Sequence, residues 1–136
     1  MGIFSAKQIE SFEKITWNIS GMRSIREYEI INKGDEADIA EYEMYYQNGK
    51  KERRLQRTAN SSAEEILKLL NECSVIKWNG FNGKHPRGVK DGEMFSFEAL
   101  VNDEEKIEAS GSENFPKHFR DFRRAINEML LLWPFL

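Results

Sequence analysis

Several features that commonly identify a function are scarce or missing in this chain of 136 residues. It contains one cysteine, so it cannot form an internal disulfide, and nothing in it argues for an oxidising compartment. It contains two histidines and no HExxH, CxxC, glycine-rich nucleotide-binding or GxSxG pattern. The common zinc, redox, nucleotide and hydrolase signatures are therefore excluded, and the sequence predicts no catalytic residue, no cofactor and no metal ligand.

Long apolar segments and shifts of composition are also missing. The chain closes on MLLLWPFL at 129–136, a stretch too short to cross a bilayer, which needs about 20 residues. We interpret it as a helix end docked on the core. No repeat, low-complexity tract or Pro/Ser-rich linker marks a boundary, so a single domain over residues 1–136 is expected.

The charge balance gives no reason to expect two classes of partner. The net charge is −3, with 40% apolar and 32% charged residues, as in a globular chain with a well-solvated surface. Neither nucleic acid nor an anionic membrane is expected as a partner. The first ten residues, MGIFSAKQIE, lack the pattern of a secretory signal and indicate a cytoplasmic protein. An envelope-associated or extracellular location stays open if the N-terminus was trimmed.

Alternating patterns in the first half of the chain predict four strands, at 15–20, 25–31, 39–46 and 50–57. Asn48-Gly49 favours a two-residue type I′ hairpin between the last two. Counting back from this turn predicts cross-strand pairs, which are Tyr46 with Lys51, Met44 with Arg53, Glu43 with Arg54, and Tyr42 with Leu55. The basic run KKERRLQR at 50–57 then becomes a charged edge strand instead of a nucleic-acid surface.

The second half predicts two helices around a hairpin. Ser62 and Glu65 form a capping box before an apolar stripe that includes Cys73, which makes this cysteine a core residue. Strands are expected at 95–101 and 106–110. Asn114-Phe115-Pro116 predicts the start of the terminal helix. Its apolar stripe would be formed by Phe119, Phe122, Ile126, Met129 and Trp133.

These elements predict an α+β fold with the order β-β-β-β-α-β-β-α. About six strands would form a single, mostly antiparallel sheet, and both helices would pack on one face of it.

Three segments carry a resemblance to a known group of domains. They are WNGF at 78–81, DGEMFSFEA at 91–99 and ASGSENFPKHF at 109–119. This half of the chain resembles a loosely defined group of bacterial α+β domains of unknown activity, which are often envelope-associated. The resemblance implies a Trp-containing loop, an Asp-Gly turn, an aromatic strand and a terminal amphipathic helix, and it implies no activity.

The glycine-rich segment GFNGKHPRGVKDG at 80–92 is a candidate contact surface. Gly83-Lys84 is followed by histidine, so the segment lacks the spacing of a phosphate-binding loop. Aromatic and arginine side chains on loops are typical of interfaces. The residues that could bind a partner are Trp78, Phe81, Lys84, His85, Arg87 and Lys90. Alternatively, Trp78 and Phe81 plug the sheet edge.

The leading hypothesis is a small, non-enzymatic binding module that recognises another protein through the exposed sheet face, the 80–92 segment, or both. The alternative is a small-ligand-binding protein or an enzyme, with a pocket between the sheet and the C-terminal helix lined by Tyr and Trp side chains. Nucleic-acid binding ranks third.

Overall fold

A computed structural model describes residues 8–21, 24–88 and 92–133 of the chain. Across these residues, seven strands form a single sheet and two α-helices accompany it. The strands are β1 (Phe12–Ser20), β2 (Ile25–Asn32), β3 (Glu36–Gln47), β4 (Lys50–Ser62), β5 (Asn82–Gly83), β6 (Met94–Val101) and β7 (Glu105–Ser112). The helices are α1 (Ala63–Glu72) and α2 (Phe119–Leu132).

The strand order across the sheet is β4-β3-β2-β1-β6-β7-β5. Every neighbouring pair is antiparallel except β5 and β7, which run parallel. The predicted α+β class is confirmed, with one strand more than expected. The additional strand is β5, which lies inside the segment that the sequence presents as a plain connection.

The β3–β4 hairpin has the predicted register. Tyr46 pairs with Lys51 and Tyr42 with Leu55, and β4 lies at the edge of the sheet. A β-bulge follows, because Glu41 pairs with Arg57 and Gln56 is left as an extra residue. The bulge brings Glu41 and Arg57 onto the same side of the sheet.

The core lies on one face of the sheet, where both helices pack. Trp17 of β1 contacts Phe122 of α2 edge-to-face, with ring centroids 5.0 Å apart. Ile66 and Leu70 of α1 belong to the same buried cluster as these rings. Burying aromatic side chains of this size makes the largest hydrophobic contributions to stability. The opposite, open face carries the alternate side chains of each strand.

Local capping explains the start of α1. The Ser62 hydroxyl accepts a hydrogen bond from the Glu65 amide at 3.1 Å, as the capping box predicts. Cys73 ends the helix and is buried, so its core role is confirmed. Burial raises the pKa of the Cys73 thiol to about 11, which keeps it protonated and unreactive at neutral pH.

The start of α2 differs from the prediction. The helix begins at Phe119, and its N-cap is His118 in the left-handed region with φ 70°. Pro116 lies before the helix, in a turn that its carbonyl closes by accepting from the Phe119 amide at 3.1 Å. Local preference would place proline in the first helical turn. Packing prevails here, because the Phe115 ring stacks on that of Phe119 at 5.3 Å.

The apolar stripe of α2 also ends differently. Phe119, Phe122 and Ile126 are buried as predicted, but Leu130 completes the stripe. Trp133 follows the helix in an extended conformation and is 39% exposed. The predicted docking of the 129–136 end is thus correct for Met129 and Leu130 and wrong for Leu131, Leu132 and Trp133, which are exposed. Residues 134–136 of this prediction lie outside the described residues. No helix within the described ranges has both the length and the apolar character to cross a membrane.

Gly111→Ala is expected to lower the free energy of unfolding by about 2 kcal/mol, the usual range for overpacking. A Cβ at this position in β7 would collide with the Asn114 carbonyl oxygen and come within 2.8 Å of the Phe95 ring. Gly21→Ala is the matched control, because nothing lies within 4 Å of its Cβ position. Urea denaturation measures both changes. Equal stabilities of the two variants would contradict the tight approach of residue 114.

Candidate functional site

Trp78, the first residue of the predicted contact surface, lies in the core. It ends a short 3₁₀ turn at Val75–Trp78 and is only 2% exposed. Its Nε1 donates to the Lys117 carbonyl at 3.0 Å, and its ring meets Phe97 edge-to-face at 5.0 Å. Trp78 was predicted either to contact a partner or to plug the sheet edge, and the structure shows it buried in the core.

The next residues build an additional edge strand onto β7. The Gly80 amide donates to the Glu108 carbonyl at 2.8 Å, and the Ser110 amide donates to the Phe81 carbonyl at 3.0 Å. Phe81 is half-buried, with its ring 6.2 Å from that of Phe95. Gly83 allows the backbone at Asn114 to lie close to β5, because a Cβ on residue 83 would lie 2.6 Å from the Asn114 carbonyl oxygen. The backbone of residues 80–83 is therefore held firmly against the sheet.

Beyond β5 the chain projects basic side chains into solvent. Lys84, His85 and Arg87 are all exposed. His85 is tied to the sheet, because its Nδ1 lies 2.7 Å from the Ser112 hydroxyl at the end of β7. Lys90, also predicted to bind a partner, lies outside the described residues, as does Asp91 of the predicted turn.

The 80–88 loop borders a polar trough on the open face of the sheet. The trough consists of two adjoining depressions of about 430 and 400 Å³, which share Asn18, Asn82, Ser96 and Ser110. Its floor is formed by small polar side chains from β1, β6, β7 and β5. The strand order, in which β1 neighbours β6, brings these distant segments together.

The two ends of the trough differ in charge. At one end, Glu98 and Glu108 lie directly opposite each other on β6 and β7, an arrangement of like charges that does not favour the sheet. Lys106 lies 3.4 Å from Glu98 and compensates in part. At the other end, the His85 ring contacts the Ser112 hydroxyl, and Lys84 and Arg87 lie close to His85 in the sequence. The acidic pair thus lies in the trough lining, whereas the basic side chains belong to the loop beyond Ser112.

The face of β3 that points toward the helices holds a buried charge. Glu41 is 2% exposed, and it is the one charged residue buried in the described part of the chain. The Arg57 guanidinium donates to both its oxygens, at 2.8 and 3.0 Å, and the Tyr28 hydroxyl donates at 2.7 Å. Burial alone would raise the pKa of Glu41, but the hydrogen bonds from Arg57 and Tyr28 outweigh it and hold the pKa below its usual value.

Sequence reasoning missed this network, whereas a pocket between the sheet and the C-terminal helix, lined by Tyr and Trp side chains, was the predicted alternative site. Ala37 and Ile39 of β3 are buried and point toward the helices, so Glu41, two residues further on, points the same way. The alternate side chains of β3 lie on the open face, and these include Tyr42, Met44 and Tyr46. The sequence did hold one signal of the buried charge, because Glu41 follows the apolar Ile39 by two residues and so shares its face of the strand. A cleft of about 460 Å³ opens nearby, between α2 and the sheet.

Comparisons with known proteins give no guide to this geometry, since no family model, curated protein or solved structure matches the chain. The resemblance to bacterial α+β domains stays a prediction. Within residues 8–21, 24–88 and 92–133, no three acidic, histidine or cysteine side chains are grouped so as to hold a metal ion. The trough, the loop and the cleft are therefore the surfaces on which a function can be proposed.

Proposed function

We propose that this protein is a small, non-enzymatic binding module that recognises another protein through the polar trough and the 80–88 loop. The observation that carries the proposal is the continuity of the two surfaces. The loop backbone is hydrogen-bonded to β7, and His85 reaches the Ser112 hydroxyl at the end of the trough. A basic loop of this kind, held on a rigid sheet, is typical of recognition sites.

The chemistry of the trough favours a protein partner over a small molecule. Small-molecule sites are concave and enclose most of the ligand surface. The trough is shallow instead, and hydroxyl and amide side chains such as Asn18, Ser96 and Ser110 line it. Such side chains suit the hydrogen-bonded, hydrated contacts of a protein interface. The acidic pair in the trough and the basic side chains of the adjoining loop would set the orientation of the partner and speed its association.

Filling the trough should abolish capture of the partner. Ser96 is exposed at the trough centre, and Ser96→Arg would place a long charged side chain across it. Thr58→Arg is the matched control, because Thr58 is an exposed hydroxyl residue on the same open face at β4. That position is four strands away in the sheet order, about 19 Å at the usual spacing.

We expect tagged wild type and Thr58→Arg to recover the same protein from a lysate of the source cells, and Ser96→Arg to lose it. With the purified partner, calorimetry should show a dissociation constant about 30-fold higher for Ser96→Arg, as for loss of an interface hot spot. A partner recovered equally by all three proteins would contradict the trough as the binding site.

A further inference from the structure

A second, separate surface lies on the helix side of the sheet. The cleft between α2 and strands β1 and β2 has a volume of about 460 Å³. It is lined by Trp17, Tyr28, Glu93, Arg120, Arg123, Arg124 and Asn127. It lies on the opposite face of the sheet from the trough, so what it binds is independent of the proposed protein partner.

The helical side of the cleft is a stripe of four polar residues. Arg120, Arg123, Arg124 and Asn127 follow the spacing i, i+3, i+4, i+7, which places them on one side of α2. Like charges three and four residues apart repel each other on a helix. With Glu93 as the one acidic residue among the lining side chains, the lining carries a net charge of +2, whereas the whole chain carries −3. The cleft is therefore positively charged although the protein as a whole is negatively charged.

Neighbouring side chains orient part of this stripe. Glu93 lies 3.2 Å from the Arg123 guanidinium at the mouth of the cleft, and Asp121 lies 3.6 Å from that of Arg124. Arg57 donates to the Asn127 side-chain oxygen at 2.6 Å, which leaves the amide nitrogen as the donor of that side chain. Arg120 has no ion pair or hydrogen bond from its side chain within the described part of the chain.

The opposite side of the cleft is aromatic and fixed. The Tyr28 ring stacks on Trp17, with centroids 5.0 Å apart and an angle of 9°. Burial, reinforced by the adjacent Glu41 carboxylate, raises the pKa of Tyr28 to about 12, so its hydroxyl stays protonated and keeps donating to Glu41. The cleft therefore combines a flat aromatic wall with guanidinium and amide donors.

We propose that the cleft binds the oxyanion group, phosphate or carboxylate, of a small molecule whose remainder lies against Tyr28. Guanidinium groups match both oxyanions with two parallel hydrogen bonds, and Arg120 has its donors available for such a pair. Arg124 contributes a second charge from the next helical turn. The volume suits a ligand of the size that protein pockets usually hold.

The test uses the full chain and two simple probes. Inorganic phosphate and citrate are titrated separately at constant ionic strength, and the arginine Nε–Hε resonances are followed by NMR. The test variant is Arg120→Gln/Arg124→Gln, whose side chains are exposed, so the fold should persist. The control is Lys51→Gln/Arg54→Gln, which removes the same charge from the exposed β4 edge.

We expect saturable shifts in the wild type and the control for at least one probe, and binding at least about tenfold weaker in the Arg120/Arg124 variant. Saturation by phosphate alone would assign the site to phosphorylated ligands, and saturation by citrate alone would assign it to carboxylates. Shifts that stay linear with both probes, or equal losses in the variant and the control, would overturn the proposal.

Discussion

Trp78→Ala is expected to lower the free energy of unfolding by about 4 kcal/mol, within the range for truncating a large buried aromatic residue. The indole is 2% exposed and packs against Phe97 at 5.0 Å and Phe122 at 5.7 Å. Removing it leaves a cavity in the middle of the aromatic cluster and leaves the Lys117 carbonyl without its donor. Urea denaturation followed by circular dichroism measures the loss.

Trp78→Phe separates the two contributions. A phenyl ring retains most of the packing but cannot donate to the Lys117 carbonyl, so a loss of about 1 to 2 kcal/mol is expected. A Trp78→Ala protein as stable as the wild type would contradict the core role of the indole. If the prediction holds, failure of a Trp78 variant to bind a partner reports a damaged fold and not a lost contact. Binding studies should therefore alter Lys84 or Arg87.

Arg57→Ala is expected to destabilise the protein by about 3 kcal/mol at pH 7, because it leaves a buried carboxylate without its principal partner. Arg57 donates to both oxygens of Glu41, and the remaining cation, Arg26, lies 3.6 Å away on a partly exposed side chain. Arg54→Ala is the control. Arg54 is exposed on the same strand, and its replacement should change the stability by less than about 0.5 kcal/mol.

The pH dependence gives this prediction a second readout. In the wild type, the folded-state pKa of Glu41 lies below its usual value of 4.5. The stabilisation by the ionised carboxylate is thus present above pH 4.5 and is lost as the pH falls through the lower, folded-state pKa. Without Arg57, burial dominates and raises that pKa, so the variant loses less stability on acidification.

The difference between wild type and Arg57→Ala should therefore shrink between pH 7 and pH 3, and urea midpoints across that range measure it. Adding Glu41→Gln to Arg57→Ala should recover part of the loss at pH 7, since no buried charge then remains unpaired. A stability difference independent of pH would show that Arg57 acts through packing alone.

Local chemistry was sufficient to predict some elements. The Asn48-Gly49 turn requires positive φ at both central residues, and this requirement sets the β3–β4 register up to the bulge. The Ser62 cap likewise marks the start of α1, because its partner amide is only three residues away. In both cases the interacting groups are close in sequence, so their pattern is visible before folding.

Other elements depend on distant partners. β5 has only two residues and no alternating pattern, and it exists because β7 supplies its hydrogen bonds. The start of α2 moved from Pro116 to Phe119 because the preceding turn packs its Phe115 ring on Phe95 and Phe119. The contacts of β5 with β7 and of Phe115 with Phe95 join residues 20 or more positions apart in the chain, and no local propensity records them.

The sequence by itself determined the α+β class, the edge position of β4 and the aromatic core, because periodicity, turn residues and charge act over a few neighbouring positions. The sequence also suggested the exposed sheet face, the 80–92 segment and a pocket under the C-terminal helix as candidate surfaces, but only the tertiary structure decided which side chains line them. Placing β1 beside β6 assembles the trough, and packing α2 over β1 and β2 creates the cleft. Both surfaces thus depend on strand order and helix placement. These are set by the long-range contacts of the whole core, which determine which distant side chains meet.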